Sequence, residues 1–562
     1  MSPGPVSVDC ETSGLHWWEH DAGVVSFAWG PLPEQSWATR NIGAAVAVVQ
    51  ERMRLGYPCV FHNSAFDVHF LVKAGLKPNW RCVQDTLLMS RLVDNLSDHR
   101  LKSLGEAHFG IKPLLQLTLK KWLVENRKLY KTKYGRLPNY LDAPDDILLP
   151  YAAEDTRLTW MLYDLFRYQV NGQLYERELR LQELMFNVEI DGIHLDIELA
   201  SKRSKQAHVE ARALKDKLLH LKGDDEFNPD SNTQLVKWLY QDLGLQAVTY
   251  TPKGAPQVND FNLASNRHPV TALLRAYNKR VKSGEFFDSY LGLVAGDGML
   301  HPTINTMAAR THRFSCQDPN LQQIPSRNDR FKTREVFFAE SGYYASADYN
   351  KQELFIAACE AGEETLLADL AAGNDVYSDM ARVMLNKQGV TSSERQAAKI
   401  AVLSIIYGVG SATLSEGMTI NLGRRVTPDE AGVIKANWKR GYPGMDRMMQ
   451  NLQRQAMSQG RIINRWGRVL NVEKDRAYVA TDYLVQSSGR DVLADALLNV
   501  ASLLPEYGGH LLPPIHDEVP LYLPERPDPI FLNRFADAMV CTKFQLPLTA
   551  SPKWGKRLSD LK

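Results

Sequence analysis

Two sets of carboxylates stand out in the sequence because their spacing suits metal-dependent chemistry on phosphate esters. In the first set, Asp9 and Glu11 are two residues apart at the end of a strand-like run, so both side chains should lie on one face of the strand. Paired carboxylates on one face suit hard divalent cations such as Mg²⁺ or Mn²⁺. The alternative interpretation is a pair of exposed acids at a strand end.

Two later segments extend this first set. Asp67 follows a strand-like run, and Tyr151 and Asp155 are four residues apart in a helical stretch, on one helix face. Four carboxylates from separate segments could hold two divalent cations, which clamp the attacking and leaving oxygens of a phosphodiester displacement. A phenol beside them can orient a water molecule. The first set therefore predicts a site that cleaves phosphodiesters.

The second set lies in the C-terminal half of the chain. Asp348 ends a strand-like run, and His516–Glu518 lies between apolar runs after two prolines, which is typical of a hairpin turn. Taken alone, the second segment is better explained as a charged turn between strands. The residues between the two segments decide between these interpretations.

A helix with two cations on one face is predicted between these acids. Thr391–Glu394 has the pattern of a capping box, so a helix should begin there. Arg395 and Lys399 are four residues apart, and their stripe continues with a drift of about 40° every four residues. Further along it are Leu403 and Tyr407. Such a stripe offers charges for a triphosphate and apolar groups for a base and sugar, although a solvated basic face is the common alternative.

The elements that position these residues follow from apolar spacing. Strands are expected at Val6–Cys10, Val24–Trp29 and Pro58–His62, and helices at Asp85–Val93, Pro150–Tyr168, Glu176–Leu221 and Thr233–Leu243. Residues 306–360 and 472–562 mix strands and helices, and a mostly helical block separates them. An α/β region interrupted by a helical insertion is the prediction.

The first set resembles the DEDD exonuclease family that has a tyrosine in its third motif. Its patterns DxE, NxxxD and YxxxD are matched in order by Asp9 and Glu11, Asn63 and Asp67, and Tyr151 and Asp155. The resemblance implies an RNase H-like 3′-5′ exonuclease domain over residues 1–172. It also implies that Tyr151 positions the nucleophilic water and that the four acids bind metal.

The second set resembles family A DNA polymerases, whose motifs read DYSxIELR, RxxxKxxxFxxxYG and HDE. The matching segments are Asp348–Leu354, Arg395–Gly408 and His516–Glu518. Thr311–Pro325 is similar to the family's TGRLS…DPNLQNIP segment, and Gln486–Gly489 to the phage version of the segment before the HDE motif. The resemblance covers nearly the whole chain.

This resemblance implies an α/β multidomain fold, with the exonuclease domain followed by a right-hand polymerase. The expected domains are a thumb at 173–305, fingers at 361–471, and a palm formed by 306–360 and 472–562. The implied activity is DNA-directed addition of deoxynucleotides to a primer 3′ end by two-metal phosphoryl transfer, with 3′-5′ proofreading, in phage DNA replication. The implied cofactor is Mg²⁺, with Mn²⁺ as the alternative, at two ions per site.

Roles for individual residues are implied in the same way. Asp348 and Asp517 would bind the metals, with Glu518 as the adjacent catalytic acid, and Lys399 would donate a proton to the leaving pyrophosphate. Glu353 would exclude a ribose 2′-hydroxyl. The residues implied to contact the nucleotide are Arg395, Lys399, Leu403, Tyr407, Glu353 and Tyr377. Those implied to contact primer–template DNA are Arg313, Gln486 and His516.

Six residues depart from the family pattern: Asn350, Lys351, Tyr377, Leu403, His312 and Asp482. Leu403 stands where the family usually has Phe or Tyr, which predicts altered handling of 3′-modified nucleotides. His312 replaces the glycine of TGRLS, and Asp482 replaces an asparagine that reads the minor groove. These departures affect fine contacts rather than the class of enzyme.

Composition limits the remaining possibilities. The 562 residues suggest about three or four domains, and the net charge of +1 neither indicates nor excludes a nucleic-acid binder, since acidic sites and basic tracks cancel. Six cysteines without a CxxC pair indicate reduced thiols. No apolar run reaches the ~18 residues of a membrane span. A cytoplasmic location is therefore expected, in the host cell if the chain is phage-encoded.

The expected partners are primer–template DNA and dNTPs, with a helicase, primase or single-strand-binding protein as further candidates. Thioredoxin is not expected, because the thumb region is too short for the family's thioredoxin-recruiting insertion, and no 5′-nuclease domain is expected before the exonuclease. Three rival interpretations stay open at this point: a nuclease whose C-terminal part only binds DNA, a single-subunit RNA polymerase, and a non-catalytic DNA-binding module.

Overall fold

The computed structural model describes residues 3–251, 253–325 and 329–561, and the chain has the predicted mixed α/β character. It divides into two compact units. Unit 1 comprises Met1–Asp191, Ile304–Ser315 and Ile463–Asn471, and unit 2 comprises Gly192–Thr303, Cys316–Ile462 and Val472–Lys562. In the part of the chain that is described, no helix is long and apolar enough to cross a membrane. The four expected domain boundaries stay a prediction.

Unit 1 is built on a five-stranded sheet with the order β3-β2-β1-β4-β5. Its strands are β1 Val6–Thr12, β2 Ala22–Ala28, β3 Ser36–Thr39, β4 Cys59–Phe61 and β5 Val83–Asp85. Its helices are α1 Ile42–Arg54, α2 Ser64–Lys73, α3 Thr86–Val93, α4 Leu101–Phe109, α5 Leu114–Tyr134, α6 Asp145–Phe166 and α7 Gly172–Asp191. The central strand β1 pairs antiparallel with β2 and parallel with β4, so its residues are mostly buried.

The local sequence explains where these elements begin. Asp85 accepts hydrogen bonds from the backbone N–H groups of Leu87 (2.8 Å) and Leu88 (3.2 Å), and this N-cap confirms the predicted helix there. α6 begins at Asp145 rather than at Pro150, which lies inside the helix. The acidic first turn, Asp145–Asp146, suits the positive end of the helix dipole and explains the earlier start.

The strands of the remaining chain are β6 Ile193–His194, β7 Met299–Leu300, β8 Thr303–Asn305, β9 Ser315–Gln317, β10 Tyr343–Tyr349, β11 Arg461–Ile463, β12 Val469–Asn471, β13 His510–Leu511, β14 Glu518–Leu523 and β15 Ala550–Gly555. The helices are α8 Ile197–Lys222, α9 Asn232–Val236, α10 Asp260–Ser265, α11 Pro269–Leu293, α12 Gln352–Ala361, α13 Glu364–Ala371, α14 Val376–Leu385, α15 Ser392–Ile406, α16 Ser411–Leu422, α17 Pro428–Gly441, α18 Pro443–Gln459, α19 Ala480–Leu503 and α20 Pro529–Ala538. Unit 2 centres on the sheet β13-β14-β10-β15, in which β10 pairs antiparallel with both β14 and β15.

Two further predicted helices differ from the observed ones. The predicted helix Glu176–Leu221 is interrupted, because Gly192 adopts a φ of 63° and a Cβ there would lie 2.8 Å from the carbonyl oxygen of Leu300. Only glycine tolerates both conditions, so the chain turns into β6 between α7 and α8. The predicted helix Thr233–Leu243 begins as α9 and continues as a π-helical turn, Lys237–Asp242.

Candidate functional site

The acids of the first set converge in unit 1. β1 presents Asp9 and Glu11, and α6 presents Asp155; one ligand oxygen from each of the three lies within 4.8 Å of the others. Asp67, from α2, accepts a hydrogen bond of 2.9 Å from the backbone N–H of Cys10, between the two β1 acids. The structure thus brings together the acids that the sequence predicted from three separate segments, and we call this cluster the first acidic site.

Negative charge is unfavourable in the first acidic site, because its carboxylates are removed from water and repel one another. Burial raises the pKa of Asp9 to about 7, with Lys102 opposing the shift. It also raises the pKa of Glu11 and of Asp67 well above the usual range, and repulsion from Asp9 adds to both shifts. A divalent cation would relieve this repulsion, and carboxylate oxygens are the donors that Mg²⁺ and Mn²⁺ prefer. The donor set therefore fits a divalent metal.

Lys102 is a member of this site that sequence reasoning missed. It comes from α4, forms an ion pair with Asp155, and its Nζ lies 3.8 Å from a carboxylate oxygen of Glu154. Its ammonium also lies 4.7 Å from the centroid of the Tyr151 ring. Burial lowers the pKa of Lys102 to about 8, although the acids around it oppose this shift. A single lysine carries no motif, so only the fold identifies it.

Tyr151 lies beside the acids with its ring fixed on two sides. The Gln116 side chain lies near its phenol, and Tyr140 packs edge-on against its ring at a centroid distance of 5.8 Å. Burial, followed by the negative charges of Glu11 and Asp9, raises the pKa of Tyr151 far above its usual value. The phenol therefore stays protonated, so it can hold a water molecule but cannot act as a base.

The acids of the second set meet at one end of the sheet in unit 2. Asp348 is the penultimate residue of β10 and is the register partner of Glu518, the first residue of β14. The predicted hairpin turn is confirmed, because the backbone groups of Ile515 and Glu518 exchange hydrogen bonds of 3.0 and 3.2 Å. The turn places the exposed His516, with a φ of 58°, and Asp517 at its tip.

Asp348 and Asp517 are close enough to influence each other's charge. Burial raises the pKa of Asp517 to about 7, and repulsion from Asp348 and then from Glu353 adds to the shift. Asp348 itself is exposed at the strand end. This pair, the second acidic site, fits a divalent cation for the same reason as the first.

Glu518 has a different environment from its neighbour Asp517. Its carboxylate is buried, accepts a hydrogen bond of 2.7 Å from the Ser346 hydroxyl, and forms an ion pair of 3.0 Å with Arg334. Arg334 was not predicted, since it lies far away in sequence and belongs to no motif. The ion pair fixes the carboxylate of Glu518 and the start of β14.

Residues on three helices, α12, α14 and α15, link the second acidic site to two cations. Glu353 lies in the first turn of α12, and its charge adds to burial in raising the pKa of Tyr377, on α14, to about 12. The guanidinium of Arg395 and the ammonium of Lys399, both on α15, lie 5.8 and 5.7 Å from the Tyr377 ring centroid. Tyr377 thus connects the acids to the cations.

The predicted start of α15 is confirmed. Thr391 and Glu394 form the expected capping box. Arg395 forms an ion pair of 2.7 Å with Asp375 and holds the pKa of that carboxyl at about 2. Both side chains are more than one-third exposed, so the pair is weak and can exchange for a stronger anion.

Leu403 and Tyr407 continue the stripe of α15 as predicted, and both are half-buried. Tyr407 is the C-terminal cap of the helix. Gly408 then adopts a φ of 76°, and a Cβ there would lie 2.4 Å from the carbonyl oxygen of Tyr478. The Tyr-Gly pair therefore has a structural cause, because only glycine permits this close approach.

The predicted DNA-contacting residues belong to different segments of the chain. Gln486 and Asp482 are one turn apart on α19, joined by a hydrogen bond of 2.5 Å, and both are half-exposed between buried residues. Arg313 is exposed in the Ile304–Ser315 segment of unit 1. The role of each predicted residue stays a prediction.

His312 shows how one departure from the motif is accommodated in unit 1. It is buried and has a φ of 60°, a conformation that favours glycine. Its Nδ1 lies 2.9 Å from Nη1 of Arg468, and Arg468 forms an ion pair of 2.7 Å with Glu178. All three side chains are buried, so the histidine gains a contact that glycine lacks.

Comparisons with known proteins place both sites in a wider context. A family model described as DNA polymerase family A matches residues 197–560, and one described as 3′-5′ exonuclease matches residues 2–171. A DNA polymerase from Mycobacterium phage D29 is 25% identical, covering 98% of this chain and 92% of the relative. The thermostable DNA polymerase I of Thermus thermophilus is 27% identical over 66% of this chain, which spans 47% of that relative.

A solved structure shares the fold. The POL domain of Pol1 from M. smegmatis, in complex with DNA primer-template and dNTP, has a TM-score of 0.79 at 20% identity, covering 99% of this chain and 95% of that one. These findings confirm the two family resemblances and the fold class predicted from the sequence.

Proposed function

This chain belongs to DNA polymerase family A and carries a 3′-5′ exonuclease domain, and we propose that it extends a primer with deoxynucleotides at the second acidic site and proofreads at the first. One observation carries the proposal for synthesis. Asp348 and Asp517 form an acid pair that connects through Glu353 and Tyr377 to two cations on α15.

The geometry supports a separate role for each of these residues in synthesis. Asp348 and Asp517 would hold two divalent cations, of which one would lower the pKa of the primer 3′-hydroxyl and both would stabilise charge on the transferring phosphate. Arg395 would release its ion pair with Asp375 and bind the triphosphate instead. Lys399 would donate a proton to the departing pyrophosphate. Glu518 serves as a positioning residue, since Arg334 and Ser346 already hold its carboxylate.

The nucleotide pocket follows from the same helices. Glu353 would exclude the ribose 2′-hydroxyl, Tyr377 would pack near the triphosphate, and Leu403 and Tyr407 would line the sugar and base. Gln486 and His516 would contact the primer–template, as would Arg313.

The first acidic site supports hydrolysis of a primer 3′ end. Asp9, Glu11, Asp67 and Asp155 would hold divalent cations, with Mg²⁺ as the expected ion and Mn²⁺ as the alternative. Tyr151, which stays protonated, would position the attacking water beside them. Similarity to a phage DNA polymerase over nearly the whole chain supports a role in phage DNA replication.

Primer extension tests the proposal for synthesis. The unaltered protein should extend a primer on a DNA template with dNTPs, and Asp517→Ala should not. Unchanged extension by that variant would reject the assignment, and digestion without any extension by the unaltered protein would favour a nuclease that only binds DNA.

Ribonucleotides test the predicted role of Glu353. The unaltered protein should discriminate strongly against rNTPs, and Glu353→Ala should lose part of that discrimination. Equal use of rNTPs and dNTPs by the unaltered protein would favour an RNA polymerase instead.

A further inference from the structure

The exonuclease domain carries a basic helix that the function above does not use. α5, Leu114–Tyr134, contains six Lys or Arg residues and a single acid, Glu125, a net charge of +5 in a chain whose total is +1. The six cations are Lys120, Lys121, Arg127, Lys128, Lys131 and Lys133, and all of them are exposed. So strong a local positive charge indicates an anionic partner.

The two sides of α5 differ in character. Its inner stripe packs on the domain, with Leu119 fully buried and Leu115 and Trp122 half-buried beside it. The outer face presents the cations, and between them Leu117 is 56% and Val124 71% exposed. The apolar stripe of the helix is therefore already covered, and the outer face mixes charge with small apolar surfaces.

The position of α5 links it to the first acidic site. Leu119 and Tyr151 belong to one hydrophobic cluster, and Gln116, in the first turn of α5, lies near the Tyr151 phenol. Beyond the far end of the helix, Arg136 forms a bidentate ion pair with Asp142 at 2.6 and 2.7 Å. At 1.5 Å per residue the helix is roughly 30 Å long. The basic helix α5 therefore begins beside Tyr151, the residue that would position the water.

We propose that the outer face of α5 binds the sugar-phosphate backbone of the single DNA strand whose 3′ end enters the first acidic site. The inference rests on the proposed exonuclease function. A row of cations without a fixed hydrogen-bonding pattern suits a repeating phosphate backbone and reads no sequence. Exposed side chains between the cations, including Tyr134 at 53%, give bases a surface to lie against.

An anionic membrane is a poorer fit to this surface. A helix that lies on a membrane inserts an apolar face between lipid headgroups. In α5 the continuous apolar face, formed by Leu115, Leu119 and Trp122, packs on the domain, and the exposed apolar side chains Leu117 and Val124 are separated by the exposed Lys120 and Lys121.

Binding of a fluorescent oligothymidine, measured by anisotropy in EDTA across a range of salt concentrations, tests the proposal. The variant is Lys128→Gln with Lys131→Gln, and the matched control is Lys77→Gln with Arg81→Gln, two exposed cations of the same unit. Loss of two phosphate contacts should reduce the slope of log affinity against log salt by about 1.4, from ~0.7 per contact with a single strand. The control should keep the slope of the unaltered protein.

Digestion of the same oligothymidine with Mg²⁺ provides the second readout. The α5 variant should show a several-fold higher KM with an unchanged kcat, and it should extend a matched primer as well as the control does. Normal digestion together with equal slopes for the two variants would overturn the α5 site alone. Absence of digestion by the unaltered protein would overturn the exonuclease function and this inference together.

Vesicles of phosphatidylglycerol provide the third readout. The unaltered protein should not bind them. Vesicle binding that Lys128→Gln with Lys131→Gln abolishes, with no change in the salt slope for DNA, would assign α5 to a membrane and reject the proposal.

Discussion

The two acidic sites both gather carboxylates that fit divalent cations, but they differ in how far the protein encloses them. In the first, Glu11, Asp67 and Asp155 are 8%, 2% and 6% exposed, and Lys102 lies among them. In the second, Asp348 is exposed and Asp517 is half-buried at a hairpin tip. We therefore call the first acidic site, in which Asp9 alone of the four acids is half-buried, the closed site, and the second acidic site the open site.

This difference fits what each site must admit. A hydrolytic site for a single strand needs room for one nucleotide and a water molecule, so its acids can be packed in advance. A site that admits a duplex and a triphosphate must stay open, so the substrates have to complete it. Each site also has a charged neighbour of opposite sign. Beside the open site, Arg334 neutralises the buried acid Glu518. In the closed site, Lys102 lies beside Asp155.

The largest expected effect separates the two sites completely. Asp348→Ala should lower primer extension by about 10³–10⁵-fold, on the scale of losing a main source of charge stabilisation in phosphoryl transfer. Digestion of a single-stranded oligonucleotide should be unchanged, because the acids of the first site are intact. Rates of both reactions on the same preparation provide the measurement, and equal loss of the two activities would contradict the separation.

The reciprocal change should affect only hydrolysis. Asp9→Ala with Glu11→Ala should reduce digestion of single-stranded 3′ ends by on the order of 10²–10³-fold, as when an electrostatic stabiliser is removed from an active site. Extension of a matched primer should continue at the normal rate. Retained digestion would reject the assignment of these acids.

The buried ion pair beneath the open site predicts an effect on local stability. Arg334→Met leaves the Glu518 carboxylate buried without its cation, which typically costs about 3–5 kcal/mol. Hydrogen–deuterium exchange should accelerate in β10 and β14, and extension should slow. Arg203→Met, which breaks the half-buried pair with Glu335 in the same unit, is the control and should change exchange in these strands little. Equal exchange in the two variants would reject the special role of Arg334.

Lys102 predicts a smaller effect, on metal binding in the closed site. Lys102→Met should tighten Mn²⁺ binding by up to about 30-fold, since a unit charge and a divalent cation ~4 Å apart repel each other by about 2 kcal/mol even in water. Calorimetric titration of the full chain provides the affinity. Lys102→Arg keeps the charge and should bind Mn²⁺ as the unaltered protein does. Weaker binding by Lys102→Met would show that the lysine organises the acids instead of competing with the metal.

The smallest expected effect concerns Leu403, which is proposed to line the nucleotide in the open site. Leu403→Tyr adds a flat ring and a hydroxyl on the stripe of α15, and one hydrogen bond is worth about 0.5–1.5 kcal/mol. Dideoxynucleotide incorporation relative to deoxynucleotide incorporation should rise about 2–10-fold. Leu403→Met, which adds no ring, should leave the ratio unchanged, and an unchanged ratio in both variants would count against the position assigned to Leu403.

Local signals in the sequence were sufficient for much of this architecture. The capping box at Thr391 located α15, the prolines before His516 located the hairpin, and the motif acids converged as predicted. These features depend on neighbouring residues, which one sequence displays directly. The break at Gly192 was missed, because its cause is contact with Leu300, more than a hundred residues away.

The supporting residues could not be found in the same way. Lys102 and Arg334 are ordinary charged residues, and their importance comes from acids that only the fold brings near. The charge of α5 was visible in the sequence, since six cations fall within one helix. Its proximity to Tyr151 was not, because that depends on the packing of α5 against α6.

Extension of a primer with a mismatched 3′ end tests most directly that one chain adds nucleotides at one acidic site and removes them at the other. The unaltered protein should first shorten a 5′-labelled mismatched primer and then extend it. Asp9→Ala with Glu11→Ala should leave the primer stalled at the mismatch, and Asp348→Ala should only shorten it. Removal of the mismatch by the first variant, or extension by the second, would contradict the account.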